Sequence, residues 1–315
     1  TDTAARAFSQ TFSAIASDYG VWVVAGNYQA PYVETRDPVE VATLGIPDDD
    51  VAYLAATSTI TNATFLWGPD EVDAAAPLGE RNLLARNEKV PLTEMEALMG
   101  IAEGPTEDEA GRRNAGWTDV AGFRVGFATS LPAFTYGYPF GQRPAGFDPL
   151  ADLGGSYAAA QDALDVDVMI QADANGPWAV PAASGAWQPL EWMGSTWRAV
   201  ADPTVGFRYN VTPMMVGNLL DLMFDGQSSI TARGHTGAGM HFVGNAEWGE
   251  VDPPEYEVYA GDKPEFLAIS PWVVPDASRD ELMALSNALA PGSGAPIENA
   301  YIETAIYADL RHHHR

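Results

Sequence analysis

Apolar residues at Phe8, Phe12, Ile15 and Tyr19 recur at three- and four-residue spacing, which predicts an amphipathic helix capped near Thr3 and closed by Gly20. Val21-Trp22-Val23-Val24-Ala25 follows as a short buried strand, so the chain opens with helix then strand, half of an α/β unit. The same grammar returns later. Tyr157 to Leu164 reads as a short helix, and Leu164, Val166, Val168 and Ile170 alternate along one face of the next strand. Glu191 to Ala201 is helical again, and Thr212 to Gly217 is extended. Ser58 to Trp67 and Phe123 to Thr129 are of strand type. Ser228 to Ala232, Glu255 to Ala260, Glu265 to Ile269 and Tyr301 to Ala308 add strand candidates in the last third. No Ser/Gly-rich linker and no internal repeat interrupts this order, so residues 1–315 read as one α/β domain with a large, partly antiparallel sheet. Residues 134–152, rich in Pro, Gly and aromatics, read as a long excursion from it.

Composition narrows the function classes. The chain has 315 residues, 46% of them hydrophobic and 19% charged, enough to bury a large core and too apolar for disorder. Acidic residues number 43 against 16 basic ones, a net charge of −27. Such a surface repels phosphate backbones and anionic lipid, so neither nucleic acid nor membrane is an expected partner. Salt adaptation is one source of this balance, though not the favoured one. Cysteine is absent, which excludes disulfides and thiolate metal sites. No apolar run approaches the length needed to cross a bilayer, and no signal-peptide pattern appears. The expectation leans to a soluble cytoplasmic protein, although the compartment is not written in the sequence. The first residue is Thr1 and not methionine, and a preceding segment is expected.

Three segments carry candidate chemistry. Asn87-Glu88-Lys89-Val90-Pro91-Leu92-Thr93-Glu94-Met95-Glu96 sets a lysine seven residues before a glutamate, in a chain with only two lysines, Lys89 and Lys263. Gly122-Phe123-Arg124-Val125-Gly126-Phe127-Ala128-Thr129-Ser130 runs a buried strand into a hydroxyl residue. Asp165 to Asn175 contains the strand after it. In this order the three resemble the motifs of the nitrilase superfamily of carbon–nitrogen hydrolases. Weaker echoes lie at Asn62 to Asp70, Trp192 to Arg198, Asp225 to Ser228 and Glu303 to Leu310, so the resemblance covers nearly the whole chain.

The resemblance implies a four-layer αββα sandwich that pairs into a homodimer, from which larger homo-oligomers are built. It implies hydrolysis of a non-peptide amide, nitrile or carbamoyl compound through a covalent intermediate, without metal or organic cofactor. Ser130 stands at the nucleophile position. Lys89 and the backbone N–H of Leu131 match the oxyanion donors, and Glu96 the second glutamate, which positions substrate or lysine. Asn175, Trp178 and Phe134 are expected around the substrate pocket.

Two departures bear on activity. The family keeps cysteine where this chain has Ser130, and a hydroxyl is far harder to deprotonate than a thiol of pKa ~8.5. Loss of a nucleophile costs on the order of 10⁶ in rate in a serine protease. The family's first glutamate, the general base, is expected upstream of the first helix, and Glu34 and Glu40 lie too late to replace it. Three readings follow: a hydrolase impaired at Ser130, a non-catalytic relative that binds a ligand or partner, and a serine hydrolase using Ser130 with Lys89.

Other features have plainer readings. Phe134, Tyr136, Tyr138 and Phe140 fit either an apolar rim at the pocket mouth, within an insertion over 134–152, or packing against the domain. His312-His313-His314 reads as a tag remnant or frayed tail, and His235 and His241 lack metal-ligand spacing. The sequons at Asn62 and Asn210 are of a kind that arises by chance.

Overall fold

The computed structural model describes residues 1–46, 49–104, 116–182, 185, 187–219, 222–234, 240–241, 265–270 and 277–312. The chain opens with Asp2–Ala4, Ala5–Gln10 and Thr11–Tyr19, which run on as one helical stretch, α1, with a π turn in its middle. It begins beside Thr1 and not Thr3, and Gly20 ends it in the left-handed conformation at φ 62°, a geometry that costs glycine little. Phe8 and Phe12 face inward, as their spacing predicts, and pack with Phe65 and Trp67.

Those two aromatics belong to β4 (Thr61–Trp67), which pairs antiparallel with β1 (Val23–Gln29) and β5 (Leu83–Glu88), while β2 (Tyr32–Thr35) and β3 (Ala52–Ala55) pair with each other. The opposite face of this small sheet contributes Val24, Leu66, Leu84 and Ala85 to a second apolar cluster. Val125, Phe127, Val168 and Tyr209 complete that cluster, and they come from a seven-stranded sheet. Its centre is three parallel strands, β7 (Phe123–Phe127), β8 (Val168–Ile170) and β9 (Tyr209–Thr212). Antiparallel neighbours extend it on both sides: β6 (Trp117–Val120) next to β7, and Ser229–Ala232 and Glu265–Ile269 beyond β9. The architecture is mixed α/β.

The helices between the parallel strands cover the sheet's other face. Tyr157–Ala163 and Gln188–Ala201 supply Tyr157, Ala158, Ala159 and Ala199 to a third cluster with Met169 and Phe207. The alanine run lets its helix lie close to the strands. A Cβ on Gly126 in β7 would meet Gln161 Oε1 at 1.9 Å, so only glycine fits there. Gln161 uses this approach to donate from Nε2 to the Phe127 carbonyl at 2.6 Å.

Several elements differ from the sequence pattern. The extended stretch expected at Thr212 to Gly217 is displaced to Tyr209–Thr212, where β9 pairs with β8, because Pro213 has no N–H with which to continue a ladder. A helix at Pro38–Leu44 was not predicted, although Asp37 caps it by accepting from the N–H groups of Val39 and Glu40. Arg279–Leu289 was also missed, with Ser278 and Glu281 forming a capping box. The strand expected at Tyr301 to Ala308 does not form: the segment has no regular structure and joins no ladder among the described residues. Glu255 to Ala260 lies outside them. Within 134–152, Tyr136 and Tyr138 are buried in the third cluster and Phe140 stacks on Trp197, so these rings pack against the domain.

Candidate active site

The carboxyl ends of parallel strands are where α/β sheets gather chemistry, because the chain leaves each strand there in a loop free to present side chains. Ser130 stands just past the end of β7. Its N–H donates to the Ala172 carbonyl at 2.8 Å, tying it to the chain leaving β8. Its backbone, at φ 60° and ψ −119°, lies in a region L-residues avoid, and the chain then tightens into a 3₁₀ turn, Leu131–Phe134. A strained residue in a sharp turn after a buried strand projects its side chain away from the sheet. Leu131 opens the turn, so its N–H belongs to the first groups of a helical turn, which the turn itself leaves unpaired. Next to Ser130, Thr129 shares a 2.6 Å hydroxyl hydrogen bond with Thr64 of β4 and so links the two sheets.

Asp173 stands just past β8. Its N–H donates to the Pro213 carbonyl and its own carbonyl accepts from Met215, which fixes it between the strand ends. The carboxylate accepts from Gln171 Nε2 at 2.9 Å and from the Ala174 N–H at 2.8 Å. The Ser130 hydroxyl and the Lys89 charge also favour its ionised form. Burial raises its pKa above the ordinary carboxylate value, and these favourable contacts offset only part of that. Gln171 is held in turn by Ser195 and Asn210 in a buried polar network.

Lys89 and Glu96 approach from the small sheet. Lys89 follows β5, pinned by its N–H to the Asn62 carbonyl and by its carbonyl to the Gly104 N–H. Its ammonium meets Glu96 Oε2 at 2.8 Å, with both side chains buried. Glu96 sits in the first turn of a short helix, Glu94–Leu98, that begins with a capping box on Thr93. The same Oε2 accepts from the Thr93 N–H at 3.0 Å and the Thr93 hydroxyl at 2.7 Å, while Oε1 accepts from Asn62 Nδ2 at 2.7 Å. Burial pushes the Glu96 pKa upward, but the hydrogen bonds from Lys89, Thr93 and Asn62, with the Lys89 charge, hold it below the ordinary value. Tyr28, opposite Asn62 on β1, has its hydroxyl pKa raised by burial and then by the Glu96 charge.

The site thus holds one cation, two carboxylates in opposite electrostatic states, and a hydroxyl on a strained turn. Such a set can stabilise a developing oxyanion with the lysine and move a proton with the carboxylate whose pKa is raised. The residues expected around the pocket make contacts of their own. Asn175 donates to the Gln188 carbonyl, Trp178 packs on Trp187 with its N–H on Asp225, and Phe134 packs against the third apolar cluster. Surface cavities of about 420 and 610 Å³ lie around Asn218 and Tyr301 and around Arg36 and Val41, and neither is lined by Ser130, Lys89, Glu96 or Asp173. Among the described residues no group of three or more His, Asp or Glu side chains could hold a metal ion, and no helix is long and apolar enough to cross a membrane. Asn62 and Asn210 of the two sequons are engaged in these internal networks.

Asp173, Asn62 and Thr93 were not singled out from the sequence. Thr93 with Glu96 is a readable capping box. Asp173 becomes visible only when adjacent parallel strands bring their ends together.

Fold and site define a mixed α/β protein with a buried lysine–carboxylate pair, and with Ser130 and Asp173 just past the carboxyl ends of neighbouring parallel strands. Neither a family model nor a curated protein matches this chain. Solved structures similar to it include an amidase from Nesterenkonia sp., at 14% identity and a TM-score of 0.41, covering 73% of this chain and 64% of that one. The same amidase, from strain AN1 after His-tag removal, gives 16% identity and a TM-score of 0.41 over 89% of this chain and 75% of that one. A cysteine-to-serine mutant of it, described as belonging to the nitrilase superfamily, gives 15% and 0.40 over 90% and 75%. The chain spans 61% of the first such structure, an amidase mutant carrying acrylamide on its active-site cysteine.

Proposed function

We propose that this protein is a carbon–nitrogen hydrolase of the nitrilase type, acting on a small non-peptide amide, nitrile or carbamoyl compound. One observation carries the reading: the buried Lys89–Glu96 ion pair, and Ser130 on its strained turn past the end of β7, belong to the two sheets that the Thr64–Thr129 hydrogen bond joins. In this reading Ser130 holds the nucleophile position, Lys89 and the Leu131 N–H receive the oxyanion, and Glu96 fixes the lysine. The ordered motifs around Lys89, Ser130 and Asp165 to Asn175 support it. So does the layering of apolar clusters, α1 on the small sheet, sheet on sheet, and helices on the large sheet, as an αββα sandwich would require. Asn175, Trp178 and Phe134 remain candidates for the outer pocket, and a homodimer is the proposed assembly.

The test restores the family's nucleophile. A Ser130→Cys variant is expected to release ammonia from at least one compound in a panel of aliphatic and aromatic amides and nitriles, and the Ser130→Cys/Lys89→Met double variant to lose that release by about a hundredfold or more. No release by Ser130→Cys across the panel would overturn the reading.

A further inference from the structure

The unbroken register of β1 on β4 gives the inner face of the small sheet three successive rungs. The first is Val24 beside Leu66, both in the apolar cluster that holds Val125 and Phe127 of β7. The second is Gly26, Thr64 and Asn87, and here Thr64 meets Thr129, the residue before Ser130, at 2.6 Å. The third is Tyr28 and Asn62, extended to Lys89 by the Lys89 N–H on the Asn62 carbonyl. Each rung thus lies further out along β7, and the third is level with the turn at Ser130. Asn62 Nδ2 donates to Glu96 Oε1 at 2.7 Å. Residues directly opposite on antiparallel strands project to the same side, so Tyr28 shares its face with the Lys89–Glu96 pair.

The middle rung is empty on β1. Apart from its chain neighbours, a Cβ on Gly26 would meet within 4 Å only the Ala63 carbonyl oxygen, at 3.7 Å, an ordinary contact. At ~3.4 Å per residue, Val24 and Tyr28 stand about 14 Å apart along the strand, and β1 sends no side chain inward between them. Gly26 is exposed and Tyr28 is 41% exposed, so this recess opens to solvent with Tyr28 at its outer end and Val24 at its inner end. No residue from Val23 to Gln29 is charged, so a charged group entering here would find no counter-ion on its strand.

We propose that the recess over Gly26, walled by Tyr28, is a specificity subsite that takes a neutral aryl group carried on the amide or nitrile carbon. The amide or nitrile head rests on the hydrolase reading above; the recess does not. A head group beside Lys89 and the Ser130 turn occupies the level of the third rung. The next inward position of the same face is the one that glycine leaves vacant, so a ring attached to the reacting carbon points into it. There the ring lies in offset or edge contact with Tyr28 and reaches toward the apolar first rung. A substrate as short as acetamide leaves the recess to water and gains none of this contact.

Ligand-observed NMR titration of the intact chain with benzamide and acetamide reads the subsite without turnover. Benzamide is expected to bind about tenfold or more tightly than acetamide. Gly26→Val fills the recess while its Cβ makes only an ordinary contact, and valine suits a strand, so its circular dichroism spectrum should match the parent's. In that variant the preference for benzamide should fall to about one. Tyr28→Ala should lose most of the preference, and Tyr28→Phe, which keeps the ring, should retain it. An unchanged preference in folded Gly26→Val overturns the proposal. So does a parent protein that binds benzamide no better than acetamide, or not at all, and these two results need no variant. If the preference depends on Gly26 while Ser130→Cys releases no ammonia from either compound, the subsite stands and the hydrolase reading falls. If Ser130→Cys hydrolyses both amides alike, with or without Gly26→Val, the reverse holds.

Discussion

The two carboxylates of the site are made of similar chemistry and sit in opposite states. Glu96 lies in a preformed cradle: an ammonium, a hydroxyl, a backbone N–H and an amide all donate to it. Asp173 is half-buried, its donors are a glutamine amide and one backbone N–H, and Lys89 acts on it only through space. A carboxylate with its oxygens fully occupied keeps its charge and fixes geometry. One that burial destabilises, with few donors to compensate, holds its proton to higher pH than an ordinary carboxylate. The fold separates the roles by origin, because Glu96 is caged by local capping chemistry while Asp173 is placed by strand pairing.

Removing the shared cation strikes hardest. Lys89→Met leaves Glu96 buried with a charge that only neutral donors face, and breaking a buried ion pair from one side costs roughly 3–5 kcal/mol. Urea denaturation should show that loss, and adding Glu96→Gln should recover much of it. A double variant no more stable than Lys89→Met would mean that the ion pair is not what the lysine supports.

Thr93→Ala comes next. It removes the helix cap, worth about 1 kcal/mol, and a hydroxyl hydrogen bond to a charged carboxylate, worth ~1.5–3 kcal/mol before the site relaxes. A loss of about 2 kcal/mol in the same assay is expected, with the Glu96 pKa moving up. An unshifted Glu96 titration would show that Lys89 alone sets its state.

The two carboxylates should also respond to pH with opposite signs. Glu96 has a folded-state pKa below its unfolded value, so its stabilisation is present above the unfolded value and is lost as pH falls through the folded one. Asp173 has a raised folded-state pKa, so its favourable contribution is complete below the unfolded value and fades as pH rises through the folded one. Relative to the parent, Glu96→Gln should therefore be least harmful in acid, and Asp173→Asn should become more favourable as pH rises toward neutrality. Urea midpoints measured from acid to neutral pH check both, and parallel curves for the two variants would erase the distinction.

How much of this was legible follows the same division. Lys89, Thr93 and Glu96 lie within one short stretch, and their relation is a matter of spacing and capping, so sequence could reach it. The helix was readable from its periodicity, although only Phe8 and Phe12 turn inward while Ile15 and Tyr19 are exposed, and the strand into Ser130 was readable from its apolar run. Asp173 was not, since its role depends on β8 lying parallel to β7, a pairing that no local pattern encodes. The aromatics of 134–152 illustrate the same limit: composition marked an excursion but left its rings either at a pocket mouth or in the core, and only tertiary packing sends Tyr136 and Tyr138 inward. Asp37 with Pro38 is a different case, a cap signal present in the sequence yet masked by a Pro-rich context.

The smallest effect tests the turn that presents the serine. Ser130 holds φ 60° and ψ −119°, where a Cβ crowds the neighbouring carbonyl and only glycine is comfortable. Ser130→Ala removes the hydroxyl and keeps the Cβ, whereas Ser130→Gly removes both. Both lose the hydroxyl, so the difference between them isolates the backbone. Glycine should leave the protein about 1 kcal/mol more stable than alanine in urea, since relief of strain outweighs the freedom glycine adds to the unfolded chain. Equal midpoints would show that the turn stores no strain, and the serine would then owe its projection to the hydrogen bond on Ala172 alone.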